Sequence, residues 1–156
     1  MNGIDDWTAS ARRVYFALLD DWNRQDAAAM AGRFAERGSL VGFDGSAIDG
    51  RACIQAHLTP IFAAHPTPLF GAKVREVRRM AAGQTLLLRA VAGMWPRGQD
   101  ALDPRFNAVQ TLVLSLCDGA YAIEMFQNTP AAFHGRPEEA EKLTAELRDL
   151  GPPRAA

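Results

Sequence analysis

The chain has 156 residues, 48% hydrophobic and 22% charged, with a formal net charge of -1. That length suits one domain with a real core, residues 1–150, followed by a short flexible tail at 151–156, and argues against two domains. Near-neutral charge without a basic run removes the electrostatic case for nucleic acid or an anionic membrane as partner.

Trp7 to Trp22 predicts a helix: Trp7, Val14, Tyr15, Leu18, Leu19 and Trp22 recur at helical spacing and form one wide apolar stripe. Asp5 and Asp6 stand where an N-cap and a first-turn acid belong. The opening MNGIDDW lacks the plan of a signal peptide, and no apolar run is long enough to cross a bilayer, so a cytoplasmic setting is the default. Asn23-Arg24-Gln25 breaks the pattern, and Asp26 caps a second short helix over Ala27 to Phe34. A strand over Ser39 to Phe43 meets the turn signal Asp44-Gly45. Asp49-Gly50 then opens a third helix, with Asp49 as its simplest cap and Ile54, Leu58, Ile61 and Phe62 on one side. Pro60 is expected to bend or split that helix, which closes in the rigid loop His65-Pro66-Thr67-Pro68.

Beyond this loop the period changes to that of strands. Gly71 to Met80 carries Lys73, Arg75, Glu76, Arg78 and Arg79, a charge row suited to an edge. Thr85 to Trp95, Phe106 to Cys117 and Tyr121 to Gln127 follow, the last two joined by the hairpin turn Asp118-Gly119. A final helix starts at Pro137, with Glu138 and Glu139 in its first turn and a narrow seam of Ala140, Leu143, Leu147 and Leu150. Cys53 and Cys117 have no paired spacing and read as two unpaired buried thiols. Helices first and then hairpin-linked strands predict an α+β domain with its helices on one face of a mainly antiparallel sheet.

A tight turn at Asp118-Gly119 would set the register of the last hairpin. Cys117 would face Ala120 and Leu116 would face Tyr121, and one face would continue through Leu114–Ile123, Leu112–Met125 and Gln110–Gln127. That face is apolar at the turn and ends in two facing amides. The other face carries Asn107, Glu124, Phe126 and Asn128, and both faces have enough apolar content to be the concave one. Convergent amides at the mouth of an apolar hollow describe a small-molecule site; equally, the two glutamines could satisfy each other at a sheet end.

The blocks 12-RRVYFALLDDWNRQDAAAMAGRFAE-36, 42-GFDGSAIDGR-51, 65-HPTP-68, 90-AVAGMWP-96, 107-NAVQTLV-113 and 126-FQNTPAAFHGRP-137 resemble the SgcJ/EcaC-type family. That family falls in the SnoaL-like division of the nuclear-transport-factor-like superfamily, and the likeness spans roughly Ile4 to Leu150. The resemblance implies a cone-like α+β roll, also called cystatin-like, in which a curved mixed sheet wraps around the N-terminal helices and encloses a deep pocket. It implies a homodimer through the convex sheet face, and acid/base work without a metal or organic cofactor. Relatives include ketosteroid isomerases, polyketide cyclases and dehydratases, and the SgcJ-type branch accompanies polyketide pathways.

His65, in its proline-rigid loop, is the leading acid/base candidate; its structural alternative is a histidine set against the helix dipole. Asp44 beside apolar walls is a candidate general base, or else a turn aspartate bonding its own backbone. Arg51 is a partner for either Asp44 or Asp49. His57 reads as a partly buried helix histidine, and Arg89 and Glu124 as a convex-face ion pair. Trp22, Tyr15 and Phe62 are candidate pocket walls, and Asn107, Gln110, Gln127 and Asn128 candidate donors to a ligand carbonyl or enolate oxygen. No HExxH, GxGxxG, P-loop or GxSxG motif occurs, which weighs against zinc, nucleotide and serine-hydrolase chemistry. The expected function is binding of an apolar, carbonyl-bearing or polyene-like molecule, with isomerase, cyclase or dehydratase chemistry or, alternatively, as a non-catalytic carrier.

Overall fold

Among the described residues four α-helices and six strands follow one another as α1 (Gly3–Asn23), α2 (Ala27–Gly32), β1 (Phe34–Val41), β2 (Ala47–Asp49), α3 (Arg51–Ala64), β3 (Leu69–Met80), β4 (Thr85–Trp95), β5 (Ala108–Cys117), β6 (Ala120–Pro130) and α4 (Pro137–Arg148). The computed structural model describes residues 3–154, with side chains from Asp6 onward; the end of the expected tail lies outside the described residues. The strands make one curved, unclosed sheet in the order β2-β1-β6-β5-β4-β3. β1 and β6 run parallel and every other neighbouring pair antiparallel. The charged strand β3 is an edge.

The α+β class holds, but the helices do not share one face. Tyr15, Leu18, Met30, Ile54 and Leu58 from α1 to α3 pack with Leu86, Leu88, Leu112, Leu114 and Ile123 in one core. On the opposite face Leu143 and Leu147 of α4 close over Val91, Trp95 and Leu102. Strand alternation makes both possible: Ala90, Ala92 and Met94 serve the first core while Val91 and Trp95 serve the second, so β4 is buried on both sides from Ala90 to Trp95. The expected seam on α4 is buried at Leu143 and Leu147, whereas Leu150 lies beyond the helix and is exposed.

Several local expectations give way to specific contacts. α1 begins at Gly3, ahead of Asp5 and Asp6, so neither is its cap; the side chain of Asp5 lies outside the described residues. Asp26 does cap α2, accepting from the Ala29 N–H at 3.0 Å. That helix ends at Gly32 rather than Phe34, because Phe34 is buried as the first residue of β1, opposite Ile123. β1 therefore starts well before Ser39. The three-residue β2, too short to show a period, pairs with β1 across the Asp44-Gly45 turn. Asp49 ends β2 and accepts the Ser39 hydroxyl at 2.7 Å, leaving Gly50, with φ of 95°, in the cap position of α3. Arg51 donates to the Phe34 carbonyl at 2.9 Å instead of pairing with a carboxylate. α3 runs through Pro60 without splitting; Pro60 and Ala56 are both exposed, so the carbonyl left without an N–H partner faces water. Cys53 and Cys117 are free, and both are exposed rather than buried.

The last hairpin turns on Asp118 and Gly119, both at positive φ (51° and 81°), as a tight two-residue connection requires. Cys117–Ala120, Leu116–Tyr121 and Leu114–Ile123 pair as the turn predicts. The register then shifts: Val113 faces Met125, Leu112 faces Phe126 and Gln110 faces Asn128. Glu124 is the extra residue of a β-bulge, so the expected Leu112–Met125 and Gln110–Gln127 pairs do not form. Glu124 accepts the Ser115 hydroxyl at 2.6 Å, and Arg89 lies 3.6 Å from Glu76 rather than pairing with Glu124.

Candidate functional site

The bulge decides which side chains face the hollow between helices and sheet. Beyond it, Phe126 and Asn128 turn inward while Gln127 turns out and is exposed. A cavity of about 280 Å3 results, walled by Leu19, Leu40, Leu58, Phe70, Met94 and Phe126 among others. Among the described residues three side chains with nitrogen or oxygen atoms reach its lining: Trp22, His57 and Asn128. The indole N–H of Trp22 is committed to the Pro68 carbonyl at 2.8 Å, and its ring meets Phe62 edge-on and Phe70 at a tilt. Trp22 thus offers a ligand an apolar face. His57 and Asn128 supply the polar chemistry.

Behind Asn128 lies a chain of hydrogen bonds into the core. The Tyr15 hydroxyl donates to Gln110 Oε1 at 2.6 Å, and Gln110 Nε2 donates to Asn128 Oδ1 at 3.2 Å. Tyr15 and Gln110 are both fully buried. Burial pushes the Tyr15 phenol far above its ordinary value, so it is neutral and a donor. Such groups tolerate burial only because each has a partner.

The remaining candidates are dispersed. Asn107 is buried, but beneath α4: its amide donates to the Thr144 hydroxyl at 2.8 Å in a separate hollow bordered by Glu141 and Arg148. Its Oδ1 has no partner among the described residues. Phe62 supports Trp22 from behind rather than lining the cavity. His65 caps the C-terminus of α3, is exposed, and is not on the lining; its carbonyl accepts from Gln25 Nε2 at 2.6 Å. Asp44 is exposed and accepts from the N–H and hydroxyl of Ser46 at 2.9 and 3.0 Å. Those bonds, the backbone one foremost, hold its carboxyl below the usual range, with a smaller contribution from nearby His57. A carboxylate so engaged is a weak base. His134 is exposed and away from the cavity, and Asp103 binds Arg105.

His57, expected to be partly buried, is exposed, yet it borders the cavity; its place one turn from Ile54 and beside Leu58 was the available signal for that. Sequence reasoning also missed how the site is braced. Asn23, at the end of α1, donates to the Phe70 carbonyl at 3.1 Å and accepts from the Phe70 N–H at 2.8 Å, acting as a strand partner for β3. Arg97 spans the same corner, donating to the carbonyls of Thr67 and Asn23, both at 2.7 Å. The buried carboxylate of Asp21 takes Arg33 at 2.8 Å and Arg24 at 2.6 Å, tying α1 to the start of β1. A wider depression of about 660 Å3 runs along the outside of α1, but only α1 residues border it and no second element faces a ligand there. Among the described residues no helix is long and apolar enough to cross a membrane, and no three His, Cys, Asp or Glu side chains gather as a metal site would require.

No protein-family model and no curated protein matches the chain. Solved structures do. A domain of unknown function with a cystatin-like fold from Nostoc punctiforme superposes with a TM-score of 0.75 at 21% identity, covering 96% of each chain. ActVI-ORFA from Streptomyces coelicolor gives 0.64 at 16% identity over 80% of this chain and 97% of its own. A ketosteroid isomerase-like protein from Erwinia carotovora atroseptica gives 0.62 at 16% identity, over 80% and 95%. At these identities the likeness defines the fold: the cone-like α+β roll of NTF2-like and cystatin-like proteins.

Proposed function

We propose that this protein binds an apolar small molecule carrying a carbonyl group, of polyketide or polyene type, within the cone. The observation that carries the reading is the lining itself: a mostly apolar, partly open hollow that presents one amide, Asn128, and one imidazole, that of the exposed His57. Apolar cavities with a few placed polar groups are the usual form of such sites, and this one is near the small end of the range. The isomerase-like name of one structural neighbour and the resemblance to the SgcJ/EcaC-type family support the same class of ligand. A cytoplasmic homodimer paired through the convex sheet face is the assembly the resemblance suggests. Native mass spectrometry of protein purified from its own host tests the proposal: a bound apolar mass is expected. Protein that is ligand-free and takes up nothing from a lipid-soluble host extract would overturn it.

The placement of His57 favours a second reading, cofactor-free proton transfer. It is the only titratable side chain among the described residues of the lining. In this reading His57 moves the proton, Asn128 holds the substrate oxygen, and His65 and Asp44 stay outside the reacting centre. Once a ligand is known, His57→Gln should abolish turnover while retaining binding, and His65→Ala should leave both intact. Equal turnover in His57→Gln would overturn this reading, and no turnover in the wild type leaves the carrier reading.

A further inference from the structure

The buried chain behind Asn128 has a direction, and that direction reaches the cavity. Tyr15 is fully buried, and among the described residues Gln110 Oε1 is the sole acceptor its hydroxyl meets. If the Gln110 amide were turned over, the Tyr15 O–H would be a buried donor without an acceptor, which is strongly disfavoured. Gln110 is therefore locked with its oxygen toward Tyr15 and its nitrogen toward Asn128. Asn128 must answer with its oxygen. Its own Nδ2 is left over, without an acceptor among the described residues, on a side chain that lines the cavity.

We infer that Tyr15 and Gln110 are positioning residues that fix Asn128 as a hydrogen-bond donor, so that the cavity selects ligands presenting a bare acceptor, a ketone or ester carbonyl, over matched alcohols. This deepens the proposed function and rests on the cavity being a ligand site. An alcohol oxygen also accepts from Asn128, but its own hydrogen must then reach His57, the one other group on the described lining with a free polar atom, or go unpaired against apolar wall. A hydrocarbon of the same shape leaves the Asn128 donor unpaired. Both are penalised relative to the ketone, for opposite reasons. The discrimination comes from a tyrosine that touches no ligand.

Three probes on one skeleton separate these effects: acetylnaphthalene, the alcohol formed by its reduction, and isopropylnaphthalene, each measured by equilibrium dialysis against the full chain. Wild-type protein should hold the ketone roughly five- to tenfold more tightly than either of the others, the equivalent of one net hydrogen bond. Asn128→Asp presents an acceptor instead of a donor and should place the alcohol ahead of the ketone. Tyr15→Phe frees both amides to turn over and should bring the ketone-to-alcohol ratio near one without changing isopropylnaphthalene affinity. Should Tyr15→Phe fold poorly, Tyr15→Phe combined with Gln110→Leu removes the buried hydroxyl donor and its acceptor together, releases Asn128 Oδ1 as well, and predicts the same loss. If all three probes bind wild type equally, or if either variant keeps full ketone preference, the inference falls while the cavity stands. If none binds at all, the ligand site itself falls.

Discussion

Gln110 on β5 faces Asn128 on β6, not Gln127, because Glu124 occupies a bulge between the two ends of the hairpin. A strand has a period of two, so one inserted residue exchanges the faces of everything beyond it. Phe126 and Asn128 enter the cone, and Gln127 leaves it. The polar group that faces the cavity is chosen by this backbone irregularity as much as by side-chain chemistry.

The bulge predicts opposite outcomes for two adjacent residues. Gln127→Ala should change stability by less than about 0.5 kcal/mol, as for an exposed surface position. Phe126→Ala removes a ring that is 4% exposed in the main core, and should cost about 3–5 kcal/mol. Urea unfolding of the two variants side by side measures both; similar midpoints would mean that the strand is in the other register.

Asn23 offers a sharper test of how α1 holds the cone. Its amide pairs with both the N–H and the C=O of Phe70, and Phe70 is itself a cavity wall. Asn23→Ala leaves two buried backbone groups without partners and should cost about 2–6 kcal/mol, the sum of two unsatisfied groups. Asn23→Asp can accept from the N–H but sets a carboxylate against the Phe70 carbonyl, so it should recover little of that loss. Thermal unfolding of the three proteins gives the order wild type, then Asp, then Ala.

The features legible in the sequence were those with a local cause. The α1 stripe, the Asp26 cap, the Asp118-Gly119 turn and the bounds of β4 follow from periodicity or turn chemistry within a few residues. The inward role of Trp22 followed from the stripe. What escaped depends on distant strands. The Glu124 bulge, β2, the early start of β1 and the pairing of Tyr15 with Gln110 across 95 positions are set by how the sheet curls, and no local pattern encodes that. His65 attracted notice for its chemistry, yet its loop carries it to the surface. His57 was in the better place because helical spacing puts it on the edge of the Ile54–Leu58 face.

Gly38 marks where β1 passes closest to β6. A Cβ there would sit 2.4 Å from the carbonyl oxygen of Ile123, a backbone atom that cannot swing aside. Gly38→Ala should therefore force the parallel pair apart at its irregular stretch and destabilise the fold by about 3 kcal/mol, the upper end for overpacking. The neighbouring surface change Arg37→Ala should leave stability within about 0.5 kcal/mol. Equal stability of the two variants would show that β1 can move away from Ile123 without penalty.

Acid should loosen α4 from the outer face of the sheet. Glu146 on α4 receives both arms of Arg75, at 2.5 and 2.6 Å, with Lys73 at 3.2 Å. The Arg75 bonds above all hold its pKa at about 2, against an ordinary value of 4.5. A depressed carboxyl stabilises the fold fully above its unfolded pKa, and the contribution fades as pH falls from about 4.5 toward 2. Because the pair stands at the surface, it is worth about 0.5–1 kcal/mol. Asp44, Glu76 and Asp103 are depressed as well, so acid sensitivity as such is not diagnostic. The test is Glu146→Gln, which should be less stable than wild type at pH 7 and converge with it near pH 2, followed through the emission of Trp95 beneath α4. A constant difference between the two proteins across that window would mean that Glu146 contributes by packing and not by charge.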